Sequence, residues 1–448
     1  MHHRGRAIRP AFLLSSFHGS GARVCSRRVS VNEKKPLWPV GSLVVLTCLN
    51  LLDYLDRQLL AAVLTPIKDE LKLSDEQLGT IQSAFMWGYF LTSPLFGYLG
   101  DRVPRRWLVA AGVFVWSLGT LMSGHVSALG ALIFFRVLVG FGEASFGTIS
   151  PGWIADLFPS AKRNNAISVF YLAIPVGSAL GYILGSAIAA QYGWRAAFLF
   201  AGYPGLVFAF VLFLLREPAR GAAETAPAPG ARAEAKPGWS AYLALFKFRQ
   251  YRLVIAGYVA QTFAMGGFAL WAPTFLHRVH HLKNEDAGDF FGKALVISGL
   301  VATLAGGFAA TAWQRRTGRG YAGMLALSSL LTAPAAYIAF STTDVMVSKI
   351  ALTAAMFLIF LSTGPVNTLI LETVPAAMRA TAMAGSIFAI HMFGDLWSPR
   401  IVGHLSDTWG DLQRATVTVL PVALVVSAVF WSWLVLATPR KDRPAAAP

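Results

Sequence analysis

Cysteine is nearly missing from this chain: Cys25 and Cys48 are the only two. Two cysteines cannot build a disulfide framework, and no CxxC is present to bind a metal or run redox chemistry. Acids are scarce too, with 22 Asp and Glu against 38 Lys and Arg. No HExxH, phosphate loop or nucleophile–base set occurs, so no metal site, nucleotide motor or enzyme is indicated and no cofactor is expected. Charged residues of both signs make up only 13% of 448 positions and apolar residues 55%, which places the chain among polytopic membrane proteins.

Twelve stretches can each cross a hydrocarbon core about 30 Å thick with about 20 residues. They lie near 39–64, 77–99, 105–126, 128–156, 164–190, 195–215, 252–275, 292–313, 321–341, 349–373, 380–404 and 415–437. Lipid offers the backbone no hydrogen-bond partner, so the spans are helices. They are too continuously apolar for a barrel of alternating strands. With both termini assigned to the cytoplasm, 27 Lys or Arg fall on that side, eight on the other, and Arg57, Arg136 and Arg400 inside spans. This positive-inside bias sets the orientation. It also accounts for the +16 charge without a nucleic-acid partner. The Ala/Gly/Arg-rich composition points to a bacterial inner membrane.

Two matching stretches lie 216 positions apart, Leu157–Ala166 (LFPSAKRNNA) and Thr373–Ala382 (TVPAAMRATA). Each falls between the fourth and fifth spans of its half, which indicates two pseudo-symmetric six-helix bundles, an all-α architecture typical of transporters. The expected organisation is a disordered cytoplasmic tail (1–37), a first bundle (38–216), a linker (217–251), a second bundle (252–438) and a short tail (439–448). Residues 1–37 also share the acid-poor composition of a transit peptide or of translation begun too far upstream. Ala219–Gly238 is too rich in Ala, Pro and Gly to bury a core. Trp239–Tyr251 mixes aromatics with Lys247 and Arg249 and reads as a helix lying in the membrane interface. His277–Lys293 is expected to form a long loop on the far side. In the fifth span Gly177, Gly181 and Gly185 share a face open to close helix approach.

Ionisable residues inside spans cost about 2.5–3.5 kcal/mol each at the bilayer centre if they face lipid, so they are candidates for function. The first span holds Asn50, Asp53, Asp56 and Arg57, with Asp53 and Arg57 spaced to pair. The fourth holds Arg136 and Glu143 on one face, with Gly140 and Gly142 opening room beside the acid. The expected pairs are Asp56 with Arg57 and Arg136 with Glu143. We assign proton coupling to Asp56, Glu143 and Arg136, and substrate binding to Arg57, Arg136, Asp53, Asn50, His391 and Asp395. Asp156 beside Arg163, and Glu372 beside Arg379, read as cytoplasmic gate or capping pairs.

The loop after the second span runs Gly97-Tyr98-Leu99-Gly100-Asp101-Arg102-Val103-Pro104-Arg105-Arg106. An aspartate at that helix end can hold a neighbouring helix N-terminus or an arginine and latch the two halves, so Gly97, Asp101, Arg102, Arg105 and Arg106 join the gate. The second half carries Thr311 at the equivalent place. This loop resembles the signature of the major facilitator superfamily, with Pro104 where glycine is usual. Gly193–Phe198 is also similar to that superfamily, as a packing element.

Four further stretches resemble the Spinster family: Leu51–Arg57 (LLDYLDR), Arg136–Ala144 (RVLVGFGEA), Ile174–Tyr182 and Gly394–Pro399. Asp53 stands where Asn is common, which leaves open which first-span aspartate titrates. The resemblance implies export of single-chain phosphate-bearing lipids, lysophospholipid or sphingosine-1-phosphate-like. With the two bundles and the buried charges, the expectation is a monomeric secondary transporter working by alternating access with proton coupling. Arg57 and Arg136 would draw the head group. The alternatives are a proton-coupled carrier of small organic anions or drugs, and an uncoupled lipid scramblase or receptor. A lipid would enter sideways, and the seam expected for it joins the fifth span to Gly299, Gly306 and Gly307 of the eighth.

Overall fold

The computed structural model describes residues 38–100, 102–220, 239–375 and 378–438, and among these every regular element is helical. Both expected tails, most of the linker and Asp101 lie outside the described residues. Along the chain run α1 (Trp38–Ala62), α2 (Leu64–Leu71), α3 (Asp75–Gly100), α4 (Arg105–Ser123), α5 (Leu129–Leu157), α6 (Ser160–Tyr192) and α7 (Trp194–Leu214). After the linker follow α8 (Trp239–Leu245), α9 (Arg249–Arg278), α10 (Asn284–Thr317), α11 (Gly320–Ser341), α12 (Val345–Leu361) and α13 (Thr363–Glu372). The chain closes with α14 (Arg379–Ile390), a π-helical turn (His391–Asp395), α15 (Ser398–Trp409) and α16 (Leu412–Ala437).

Among the described residues ten segments are long and apolar enough to cross a membrane. The stretches expected at 77–99 and 380–404 are helical but are not among those ten. The repeated stretches both fall where one helix ends and the next begins, at α5–α6 and α13–α14. The far-side loop is corrected: α9 runs on to Arg278 and α10 starts at Asn284, so most of His277–Lys293 is helix. The short helix after the linker is present as α8, and it packs on α14, with Leu245 buried.

In the first half α3 lies along α5, α1 along α6, and α4 against α5 and α7. In the second, α11 packs on α16 and α12, and α16 on α9. The halves meet through α6 with α10, α3 with α15, and α1 with α9.

The glycine stripe has a different partner from the one expected. A Cβ on Gly177 or Gly181 would strike the Leu51 or Leu55 carbonyl, so the stripe admits α1, within the same half. The glycines that close the α6–α10 seam are Gly288 and Gly292, against Ser186 and Ala179, while Gly306 faces Leu361 and Gly299 faces Phe360. Gly140 and Gly142 open no cavity either. They seat α5 against Phe85 of α3 and against Gly112 and Trp116 of α4.

Among the described residues, hydrogen bonds and ion pairs joining the halves gather at the end where α1 stops and α3 begins, here the far end. Asp75, at the start of α3, is buried and takes Arg278 of α9 at 2.7 Å and Ser406 of α15 at 2.7 Å, besides Lys68 at 2.5 Å. The Asp407 carboxylate in turn accepts from the backbone amides of Asp75 (2.8 Å) and Glu76 (2.7 Å), capping α3 from the opposite half of the chain. Glu76 completes the clasp with Arg400 at 2.8 Å and His404 at 2.9 Å. Burial pushes the Asp75 carboxyl up, but Arg278, Lys68 and Ser406 pull it further down, to a net value below the usual 3.8. Hydrogen bonds from His404 and Arg400 likewise hold Glu76 low. Towards the other end, which carries the linker, α3 exposes Leu91, Leu95 and Tyr98.

Candidate functional site

The charges of the first and fourth spans meet inside the first half, where α1 lies against α5 and α4. Arg57 donates from Nε to Asp53, one turn back, at 3.0 Å and to Glu143 on α5 at 2.8 Å. Asp56, one residue on and so on another face of α1, accepts from Thr120 of α4 and lies 3.7 Å from Arg136. Arg136 and Glu143 are wholly buried, and Asp53 and Asp56 nearly so. The pairing expected from sequence is thus exchanged: Glu143 goes with Arg57, and Arg136 with Asp56. Seven residues put Arg136 and Glu143 on one face of α5 but about 10 Å apart along its axis, so each meets a different residue of α1.

Aromatic rings wall the Arg57 guanidinium, with the centres of Tyr54 and Tyr89 each 4.8 Å away and Phe85 at 5.3 Å. Phe85 also lies 5.1 Å from the Arg136 guanidinium. Such faces attract cations while excluding water. None of the three Arg136 guanidinium nitrogens has a hydrogen-bond partner, and neither does Oε1 of Glu143. A buried ion pair with unused donors is poised to accept another anion or exchange partners, since every unmet polar group in the interior is costly.

The remaining expected residues lie elsewhere. Asn50 donates to the Phe170 carbonyl of α6 at 2.8 Å and serves the α1–α6 contact. His391 and Asp395 pair with each other at 3.0 Å across the π turn, both partly exposed. Asp156 is engaged by Arg105 at 2.5 Å, in place of the expected Arg163. Among the described residues no ion pair joins Glu372 to Arg379, whose Nε donates to the Leu371 carbonyl at 3.1 Å. In the signature loop, Arg102 folds back on the Tyr98 ring and carbonyl. A Cβ on Gly97 would lie 3.8 Å from the Thr148 side chain. Arg105 and Arg106 open α4, and both of their amides are capped by Glu217, at 2.9 and 3.2 Å.

Sequence reasoning missed Thr120, Tyr54, Tyr89 and Glu217. Tyr54 carried a visible signal, since it sits between the two aspartates of the first span. Thr120, Tyr89 and Glu217 meet the site only through packing of distant segments.

The sequence profile of the Major Facilitator Superfamily, a class of membrane transporters, matches residues 46–394. The chain belongs to that superfamily and, within it, to the Spinster family. It is 33% identical over 399 residues to the sphingosine-1-phosphate transporter SPNS2 of Danio rerio, covering 85% of this chain and 78% of that one. With protein spinster homolog 1 of Mus musculus it shares 35% identity over 383 residues, 81% of this chain and 72% of the relative. Protein spinster of Drosophila melanogaster is 33% identical over 378 residues, and the chain spans 62% of its length. A crystal structure of a bacterial homologue of the human lysosomal transporter Spinster, inward-facing and unoccupied, superposes with a TM-score of 0.77 at 22% identity, covering 90% of this chain and 96% of that one.

Proposed function

We propose that the protein is a proton-coupled secondary transporter that moves single-chain phosphate-bearing lipids, of the lysophospholipid or sphingoid-phosphate type, by alternating access. Twelve membrane helices in two rocking six-helix bundles, both termini in the cytoplasm of a bacterial inner membrane, and a monomeric unit complete this reading. The far-end clasp and the exposed linker-end half of α3 support an inward-facing arrangement.

The observation that carries the proposal is the charge cluster. Three buried carboxylates (Asp53, Asp56, Glu143) face the buried guanidinium of Arg136 and the partly buried one of Arg57. Fully ionised, the set carries one surplus negative charge, which a single proton removes. Protonation of Glu143 loosens its hold on Arg57, and a lipid phosphate then competes for that guanidinium and for the open donors of Arg136. Deprotonation restores the ion pair and expels the head group. Asp101, with Arg102 and the Arg105–Asp156 pair, would gate the linker end.

Uptake of lysolipids, sphingoid phosphates and small organic acids into proteoliposomes under an imposed pH gradient tests this. Glu143→Gln and Asp56→Asn should abolish gradient-driven uptake of the lipid phosphates while the protein still purifies as a folded monomer. Arg57→Ala and Arg136→Ala should weaken binding of lipid phosphates more than of neutral chains. Undiminished uptake in both carboxylate variants removes the coupling proposal. Transport of organic acids but not lipids replaces the cargo, and gradient-independent lipid movement makes the protein a scramblase.

A further inference from the structure

A surface cavity among the described residues lies outside the charge cluster, in a groove between α10 and α12 with a volume of about 760 Å³. Its walls are single faces of two helices: Phe290, Ile297 and Val301 on α10, and Ile350, Ala354 and Phe357 on α12. Ile297, Val301 and Ile350 are more than half exposed. The groove opens away from the chain's other half, because α10 meets α6 through Gly288 and Gly292. It therefore faces the bilayer.

One cation interrupts this apolar lining. Lys349 lies in the second turn of α12, with Nζ 5.2 Å from the centre of the Phe290 ring, and among the described residues it has no acidic partner. The nearby acids are committed: Asp344 caps the amides of Met346 and Val347, and Asp289 pairs with Lys293 at 2.7 Å. An unpaired ammonium one turn inside a membrane helix sits at head-group depth, where a long side chain can lift its charge toward phosphate. From Lys349 the groove follows α12 to Leu358, nine residues or about 14 Å of helix. That is close to one leaflet of a hydrocarbon core, about 15 Å. The groove is as deep as one acyl chain is long, with its single positive charge at the head-group end.

We propose that this groove is a binding site for an anionic bilayer phospholipid, one acyl chain lying between α10 and α12 and its phosphate meeting Lys349. The site does not depend on the transport reading, because it shares no residue with the charge cluster.

Native mass spectrometry of the full-length protein in detergent tests it, with phosphatidylglycerol and phosphatidylcholine of identical chains as probes. Wild type should retain phosphatidylglycerol several-fold better than phosphatidylcholine. Lys349→Gln should bring the two to equal retention, and Ala354→Phe, which fills the groove, should lower both. Glycerol phosphate, which has the head-group charge without a chain, should neither bind nor displace phosphatidylglycerol. Unchanged selectivity in Lys349→Gln overturns the head-group assignment. Unchanged retention in Ala354→Phe overturns the groove. A dimer peak that Ala354→Phe removes gives the surface to a second copy of the chain and also overturns the proposal.

Discussion

Arg57 on α1 and Glu143 on α5, 86 positions apart in sequence, are joined by a 2.8 Å hydrogen bond inside the first half of the chain. Asp53 accepts from the same Nε at 3.0 Å, so one guanidinium N–H serves two carboxylates. Removing one member of such a cluster leaves the others buried without their partner.

Arg57→Ala should therefore destabilise the protein by about 3–5 kcal/mol, the range for breaking a buried ion pair from one side. Glu143→Gln in the same chain should recover a large part of that loss, because it removes the orphaned charge. Thermal unfolding of the single and double variants in detergent measures both. Additive losses would mean that the two side chains do not interact.

The far-end clasp predicts a pH dependence of the closed state. Asp75 is held below its ordinary value of 3.8, so its contribution is complete above that value and is lost as the pH falls further. The clasp should stay shut from pH 7 to pH 5 and loosen only in stronger acid. Spin labels on the exposed positions Lys72 and Thr408, in a chain freed of Cys25 and Cys48, report the separation. Asp75→Asn should widen the distribution at pH 7, and an unchanged distribution would show that the clasp does not hold the halves.

Gly181→Val places a side chain against the Leu55 carbonyl and should lower stability by at least the 1–3 kcal/mol typical of overpacking. Gly307→Ala, with nothing within 4 Å of the new methyl, should be neutral or slightly stabilising. Equal melting temperatures for the two variants would contradict the α1–α6 contact.

Glu217 caps the first two amides of α4. Glu217→Ala should cost about 0.5–2 kcal/mol, as loss of a helix cap does. Glu217→Gln, which keeps an acceptor, should cost less. Hydrogen exchange of the Arg105 and Arg106 amides, faster in the alanine variant, locates the effect.

The sequence revealed which residues carry chemistry more clearly than which residues they meet. Asp53 and Arg57 could be paired from spacing alone, because residues four apart are neighbours on a helix. The partners of Glu143 and Arg136 depend on how α1 is rotated and shifted against α5, and no pattern within either segment encodes that. The stripe of Gly177, Gly181 and Gly185 announced a close approach without naming α1 as the helix that approaches. The clasp of Asp75, Arg278 and Asp407 went unnoticed because its members sit at helix ends up to 332 positions apart, where isolated charges look like ordinary solvated termini.

The π turn at His391–Asp395 sets the rotational phase of everything that follows it. Such a turn holds one residue more than an α-helical turn, so it rotates the rest of the helix by about 100°. Downstream of it lie Arg400, His404, Ser406 and Asp407, which grip Glu76 and Asp75. Deleting a single residue from the turn would let the helix run on in regular geometry and would swing all four away from α3 together. The length of this one turn acts as a key cut to fit the far-end lock, and a chain one residue shorter there would lose the closed state without losing any of the residues that form it.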